Sequence, residues 1–309
     1  MFLELMIKGF IVGIAFIIPG VSGGTLAIYL GIYKKLLDAI GDIFKHFKES
    51  MKFLIPFGIG VVLSVLGLAK LFGILIEWNS FIVLMFFIGL LTGGIAQIAR
   101  KAHIRHNNLT SIISFLLAFG LLLTMIIFDK TRVSEGINEF DMNFRDYILI
   151  IGLGIISATT MIVPGISGSA MLMVLGFYTA IVSNVIGNVF DFSNFSYNFQ
   201  VIVLFAIGIA IGIIGFSKLI SYLLERYSKQ TYMAILGFVL ASIIGVFLEI
   251  KDPASGATYE NQTPIFNHLW MYLSTHIWTV TIGIILAITG FICTKYLSRI
   301  ELKGVQNES

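Results

Sequence analysis

The residues best suited to chemistry in this chain lie in two short segments. They are Pro19-Gly20-Val21-Ser22-Gly23-Gly24-Thr25 and, 145 positions later, Pro164-Gly165-Ile166-Ser167-Gly168-Ser169-Ala170. Each interrupts a hydrophobic run. Proline has no backbone N–H and glycine tolerates positive φ, so Pro-Gly ends one helix and lets the chain turn. The residues that follow open the next helix with several unpaired N–H groups. In hydrocarbon such groups survive only where they are buried in protein or line a polar cavity. Gly23 and Gly24 permit close backbone approach, Ser22 and Thr25 add hydroxyl donors, and the positive end of the helix dipole favours a phosphate or carboxylate. Ser167, Gly168 and Ser169 supply the same groups from the second copy. The implied chemistry is recognition of an anion, with Pro19, Gly20, Pro164 and Gly165 shaping the breaks. The competing explanation is a plain kink in which Gly and Ser serve close helix packing. Two copies at matching positions favour the binding site.

Ionisable residues inside the apolar runs are few. Lys70 and Lys218 occupy equivalent positions, each seven residues before a glutamate, Glu77 and Glu225, so each pair lies roughly on one helical face. One role for the lysines is to help hold an anionic head group, with Glu77 and Glu225 as partners or proton carriers at the membrane edge. The other is snorkelling of each lysine to the nearby interface. Glu4 and Lys8, one turn apart, fit an interfacial pair. His46, His103 and His106 lie among loop lysines and arginines, His268 and His276 flank another loop, and no His or Cys cluster has metal-ligand spacing. No metal or other cofactor is expected. Trp78, Trp270 and Trp278 sit near the ends of apolar runs, as interfacial anchors do.

The elements that position these residues follow from composition and repetition. With 57% hydrophobic and 12% charged residues and a mean hydropathy of +0.96, the chain is a polytopic membrane protein. Its net charge of +3 gives no indication of nucleic-acid binding. Cys293, the one cysteine, leaves no internal disulfide. No removable signal peptide is expected, because the first apolar run carries Glu4 and Lys8 and belongs to the repeat. The duplication extends through Gly9/Gly154, Leu30/Leu175, Gly31/Gly176 and Tyr33/Tyr178. After a shift of three residues it resumes at Phe57/Phe205, Gly60/Gly208, Gly67/Gly215, Lys70/Lys218, Glu77/Glu225 and Gly89/Gly237.

The expected fold is all-α: two inverted-topology repeats, each a re-entrant broken-helix hairpin followed by three transmembrane helices. Residues 1–130 form the first repeat, with a hairpin at about 3–33 and spans at about 53–76, 81–99 and 110–128. An extracytoplasmic linker at 131–146 leads to the second repeat at 147–309, with a hairpin at about 147–187 and spans at about 200–224, 231–249 and 277–297. The arms of the first hairpin, about 16 and 13 residues, reach only ~20–24 Å against a hydrocarbon core of ~30 Å, which suggests half-helices meeting near the midplane. The second hairpin is long enough to be read either way. Lysine and arginine placement sets orientation. Lys34, Lys35, Lys45, Lys48 and Lys52 follow the first hairpin, while the matching stretch from Thr179 to Phe199 has no Lys or Arg. Equivalent loops thus face opposite sides, and both termini are placed in the cytoplasm.

Taken together, PGVSGGT followed by Leu-Gly-Ile-Tyr at 30–33, and PGISGS followed by Leu-Gly-Phe-Tyr at 175–178, resemble a bacterial membrane family once listed as a domain of unknown function. It is now regarded as polyprenyl-phosphate transporters of the PopT type. The resemblance spans essentially the whole chain. It implies a bacterial cytoplasmic-membrane flippase that returns undecaprenyl phosphate from the outer to the inner leaflet for cell-envelope synthesis. The residue chemistry by itself supports an anion site in an inverted-repeat transporter, and the isoprenoid tail needs no protein cavity because it can stay in lipid. Oligomeric state is open. Two alternatives stand beside this expectation. An integral undecaprenyl-diphosphate phosphatase would use a similar motif with an arginine where this chain has Gly23 and Gly168, and would need carboxylates to hold a metal or activate water. A secondary transporter of a small soluble anion fits the same dipole argument, and a closed aqueous cavity would favour it over a lateral opening to lipid.

Overall fold

A computed structural model describes residues 2–17, 21–103, 108–131, 139–165, 171–172, 175–186, 194–256 and 261–307. Among these the chain is helical, with an isolated bridge between Lys251 and Pro264 as its β-structure. In chain order the helices are α1 (Phe2–Ile17), α2 (Gly23–Tyr29), α3 (Tyr33–Gly41), α4 (Phe47–Lys101), α5 (Leu109–Thr131) and α6 (Phe144–Ile162). After a π-helical turn at Thr179–Ile186 come α7 (Phe195–Arg226), α8 (Ser228–Leu248), α9 (Leu269–Thr275) and α10 (Ile277–Asn307).

Seven segments among the described residues are long and apolar enough to cross a membrane. They comprise Phe47–Leu68 and Lys70–Lys101 of α4, together with segments of α5, α6, α7, α8 and α10. Two spans separated near residues 77–80 are expected where α4 runs as one stretch of 55 residues. The separation survives as a kink at Asn79, whose φ of −163° and ψ of 94° leave the helical region. Its side-chain oxygen then accepts from the Ile82 N–H at 3.1 Å, restarting the helix as a cap does. Beside it, Ser80 both donates to and accepts from the Lys251 backbone at 2.9 Å, tying this kink to the loop after α8. α1, with 16 residues, is shorter than a span requires, whereas α6, with 19, is long enough.

Lipid tails are as apolar as leucine, so helices in a bilayer associate by close packing at small residues. This chain uses that device twice in the same way. α1 crosses α4 with Gly9 against the Phe57 carbonyl and Gly60 against the Met6 carbonyl. α6 crosses α7 with Gly154 against the Phe205 carbonyl and Gly208 against the Ile151 carbonyl. All four contacts match under the sequence repeat. A second pair of crossings is exchanged between the halves. Gly89 of α4 packs against Ala287 of α10, and its repeat mate Gly237 of α8 packs against Phe115 of α5. The last span of each half therefore leaves its own half and packs on the other. α4 and α8 pack on each other between these pairs. The main core runs through this centre and includes Ile28, Tyr29, Leu84, Phe87, Leu91, Ile98 and Val239, each nearly or wholly buried.

Each repeated segment also closes with a glycine in the left-handed region, Gly31 at φ +67° and Gly176 at φ +82°. A side chain would be strained at both, which accounts for the recurring Leu-Gly-x-Tyr.

Candidate functional site

The two broken segments, far apart in sequence, meet in the interior. α6 ends at Ile162, and the carbonyls of a helix end need partners from outside the helix. Pro164 has no N–H to offer, and Gly165 turns the chain away at φ +95°. The first half supplies the donors. Tyr33 Oη donates to the Ile162 carbonyl at 3.0 Å in a buried bond, and Ser22 Oγ makes a longer contact of 3.4 Å to the Val163 carbonyl. Ser22 stands at the N-cap of α2 in extended conformation without a side-chain cap bond, so its hydroxyl is turned toward the other break. Gly24 completes the contact: a Cβ there would lie 3.0 Å from the Ile162 carbonyl oxygen and 3.5 Å from Pro164 Cα.

α2 is wholly buried. Tyr29 Oη donates to the Leu91 carbonyl at 2.7 Å, and its ring lies against Gly94, where any side chain would collide. Gln97 Nε2 reaches the Ile28 carbonyl at 3.5 Å. Within this dry setting the Thr25 hydroxyl is fully buried and has no hydrogen-bond partner among the described residues. A buried hydroxyl without a partner costs roughly 1–3 kcal/mol. Thr25 is therefore the described group at the break best placed to gain from a ligand.

A cavity of about 550 Å³ opens beside the second break. Val163 and Pro164 line one part of it, Tyr227 and Gln230 at the α7–α8 junction line another, and Tyr33 contributes from the first half. Among the described residues, no charged side chain lines it. α5 packs on α8 and α6 packs on α7, and neither α6 nor α7 packs substantially against α5. The cavity thus occupies a gap between two helix pairs.

Of the residues singled out from sequence, Ser22, Gly23, Gly24, Thr25, Pro164 and Gly165 lie at the breaks. Pro19, Gly20, Ser167, Gly168 and Ser169 fall outside the described residues. Lys70, Lys218 and Glu77 are exposed on the protein surface, and none of them lines the cavity. The Lys218 stem lies on the backbone of Gly41 in α3. Glu225 accepts from Lys34 at 2.8 Å, and Lys34 also pairs with Asp38 at 2.9 Å, while Asp38 is bonded to Ser221. These hydrogen bonds, to Glu225 first and then to Asp38, raise the Lys34 pKa above its ordinary value. Sequence reasoning missed Tyr33, Lys34, Asp38 and Ser221 as members of the junction. Tyr33 carried a signal, since it closes the repeated Leu-Gly-x-Tyr. Nothing local in the sequence joins Lys34 to a glutamate 191 residues away.

Fold and site define a polytopic helical membrane protein whose two broken segments join in its interior beside an uncharged cavity. The chain belongs to the undecaprenyl phosphate translocase-like family, which it matches over residues 12–262. It is 29% identical over 246 residues to a polyprenyl-phosphate transporter of Staphylococcus aureus, covering 78% of this chain and 85% of that protein. It is 28% identical over 258 residues to a polyprenyl-phosphate transporter of Vibrio cholerae, covering 78% of this chain and 76% of that one. No solved structure matches it.

Proposed function

We propose that this protein carries undecaprenyl phosphate across the bacterial cytoplasmic membrane, returning it from the outer to the inner leaflet for cell-envelope synthesis. The observation that carries this function is the meeting of the two breaks, Ser22 and Gly24 against Val163, Ile162 and Pro164, in a chain whose curated relatives are named polyprenyl-phosphate transporters. In this reading the halves have inverted topology, both hairpins are re-entrant, and both termini face the cytoplasm. The phosphate is held by Thr25, by the N–H groups opening α2 at Gly23 and Gly24, and by the matching groups Ser167, Gly168 and Ser169. Pro19, Gly20, Pro164 and Gly165 shape the turns that present them. Lys70 and Lys218, exposed on apolar spans, attract the phosphate at the protein surface before it reaches the breaks. Glu77 and Glu225 couple the cycle to protons.

Exchange between leaflets requires two arrangements of the junction, one open to each side. The contacts that would separate are single hydrogen bonds, Tyr33 to Ile162 and Ser22 to Val163, together with the exposed Lys34–Glu225 pair. Each is individually weak, which suits a junction that must part and re-form. The uncharged cavity, lying in a gap between helix pairs, favours a lipid over a small soluble anion, which would need a polar, hydrated path.

The direct test is reconstitution into liposomes containing labelled undecaprenyl phosphate in one leaflet. Protein-dependent equilibration between leaflets is the expected result. Equal accessibility with and without protein would reject transport of this lipid. Release of inorganic phosphate from undecaprenyl diphosphate would favour an enzyme.

A further inference from the structure

We propose that the uncharged cavity bounded by α5, α6, α7 and α8 seats the polyisoprenoid chain of the lipid, while the phosphate is held at the breaks. This rests on the lipid-phosphate function proposed above and assigns the hydrocarbon part of that ligand a site of its own.

The lining looks mixed by residue type, but five of its six hydroxyls are committed to backbone carbonyls, which leaves the Tyr227 hydroxyl and the Gln230 amide, both at the α7–α8 junction, as its polar edge. Ser114 Oγ donates to the Thr110 carbonyl at 2.8 Å, Thr159 Oγ1 to Ile155 at 2.8 Å and Thr160 Oγ1 to Ser157 at 2.8 Å. Thr231 Oγ1 donates to Tyr227 at 2.9 Å, and Tyr33 Oη to Ile162 at 3.0 Å. Each of these donors is spent on a backbone carbonyl, and no cation lines the wall among the described residues. A phosphate placed here would shed its water and find little in return, a cost of several kcal/mol for even a neutral polar group. A hydrocarbon loses nothing, because methyl and methylene faces and the apolar sides of the threonines are what the wall presents.

Place and size agree with chemistry. About 550 Å³ falls within the range of cavities that enclose a small molecule or part of a larger one, roughly 300–1,000 Å³. The cavity adjoins the second break through Val163 and Pro164, so a lipid whose phosphate sits at the breaks has its first isoprene units beside this wall. The gap between the α5–α8 pair and the α6–α7 pair gives the rest of a long chain a way out into the bilayer. The tail then does not remain wholly in lipid, as residue chemistry alone had suggested. An apolar seat also gives the protein a means to prefer an isoprenoid phosphate over inorganic phosphate, which has no hydrocarbon to fill it.

The test uses three single-cysteine variants of the full chain in a Cys293→Ser background: Ala234→Cys and Ser114→Cys in the cavity wall, and Leu66→Cys on the exposed surface of α4. Each is purified in detergent and its maleimide labelling rate is measured with undecaprenyl phosphate, with neutral undecaprenol, or with inorganic phosphate. At a lipid concentration about ten times half-saturation, labelling at Ala234→Cys and Ser114→Cys should slow about tenfold with either lipid. Labelling should be unchanged with inorganic phosphate, and Leu66→Cys should respond to none of the three. The proposal is overturned if neither lipid slows labelling in variants that still move undecaprenyl phosphate in liposomes. It is equally overturned if inorganic phosphate protects as well as the lipids do, since the cavity would then be a head-group site. Protection by both lipids in a protein that moves no lipid would support the seat while rejecting the transport function.

Discussion

Tyr33 Oη donates to the carbonyl of Ile162 at 3.0 Å, joining the end of the first broken segment to the last turn of the helix that precedes the second break. Tyr33 is buried, and 129 residues separate donor from acceptor. Replacing Tyr33 by Phe keeps the ring and leaves a buried helix-end carbonyl one donor short. The expected cost is about 1–3 kcal/mol, read as a lower thermal midpoint in detergent, with slower lipid exchange in liposomes. Tyr33→Phe with an unchanged midpoint would mean that the two breaks are not held together through this bond.

Gly23 and Gly24 are adjacent in the motif and differ in what a side chain would meet. A Cβ at Gly23 would lie 2.8 Å from the tip of the Phe16 ring, a side chain able to turn aside, whereas one at Gly24 would meet the backbone of the other break. Gly24→Ala should therefore impair exchange more than Gly23→Ala at equal expression, by about tenfold if forcing the breaks apart costs about 1.4 kcal/mol, the low end of the overpacking range. Equal effects would place the sensitive contact elsewhere.

Repeat-matched glycines divide by contact. Gly9→Leu and Gly154→Leu would each drive a side chain into the carbonyl of Phe57 or Phe205 and should abolish folded protein, measured as loss of a monodisperse peak in detergent. Gly67→Ala and Gly215→Ala, also a repeat pair, face open space and should fold normally, with helix stability raised by roughly 0.5–1 kcal/mol. Loss of folding in the second pair would contradict this packing.

The Lys34–Glu225 pair is exposed on both sides, so Glu225→Gln should change thermal stability by less than about 1 kcal/mol. The Lys34 pKa is raised in the fold, so the pair's contribution is complete below the ordinary lysine value and is lost only as pH rises through the raised one. Across pH 6–8 the pair itself should leave stability unchanged. A change in exchange rate or its pH profile in Glu225→Gln, with stability intact, would mark this carboxylate as part of the transport cycle. An unaltered profile would remove it from that role.

In the inverted arrangement proposed above, the loops after the two breaks would face opposite sides. Single cysteines Lys45→Cys and Asn194→Cys, in a Cys293→Ser background, should react with an impermeant maleimide from opposite faces of sealed vesicles. Labelling from the same face would reject the inverted arrangement.

Sequence by itself determined membrane residence, the duplication and the two breaks, because these depend on local quantities: composition, helical run length, and what Pro-Gly does to a backbone. It also located the glycines that matter, as repeat mates. It could not separate Gly9 and Gly154, which are pressed against carbonyls, from Gly67 and Gly215, where a side chain would meet open space among the described residues. The reason is that lipid and a neighbouring helix are equally apolar, so hydropathy does not say which face meets which. Only the tertiary structure decided that α5 packs on α8 and α10 on α4, exchanging the last spans between halves, and that Tyr33 supplies the donor for the Ile162 carbonyl at the end of α6. The pairing of Lys34 with Glu225 and the gap that becomes an uncharged cavity follow from those long-range choices. The threonines of that cavity illustrate the same limit. Their hydroxyls count as polar in the sequence, and only their bonds to carbonyls of their own helices turn the wall they line into one fit for hydrocarbon.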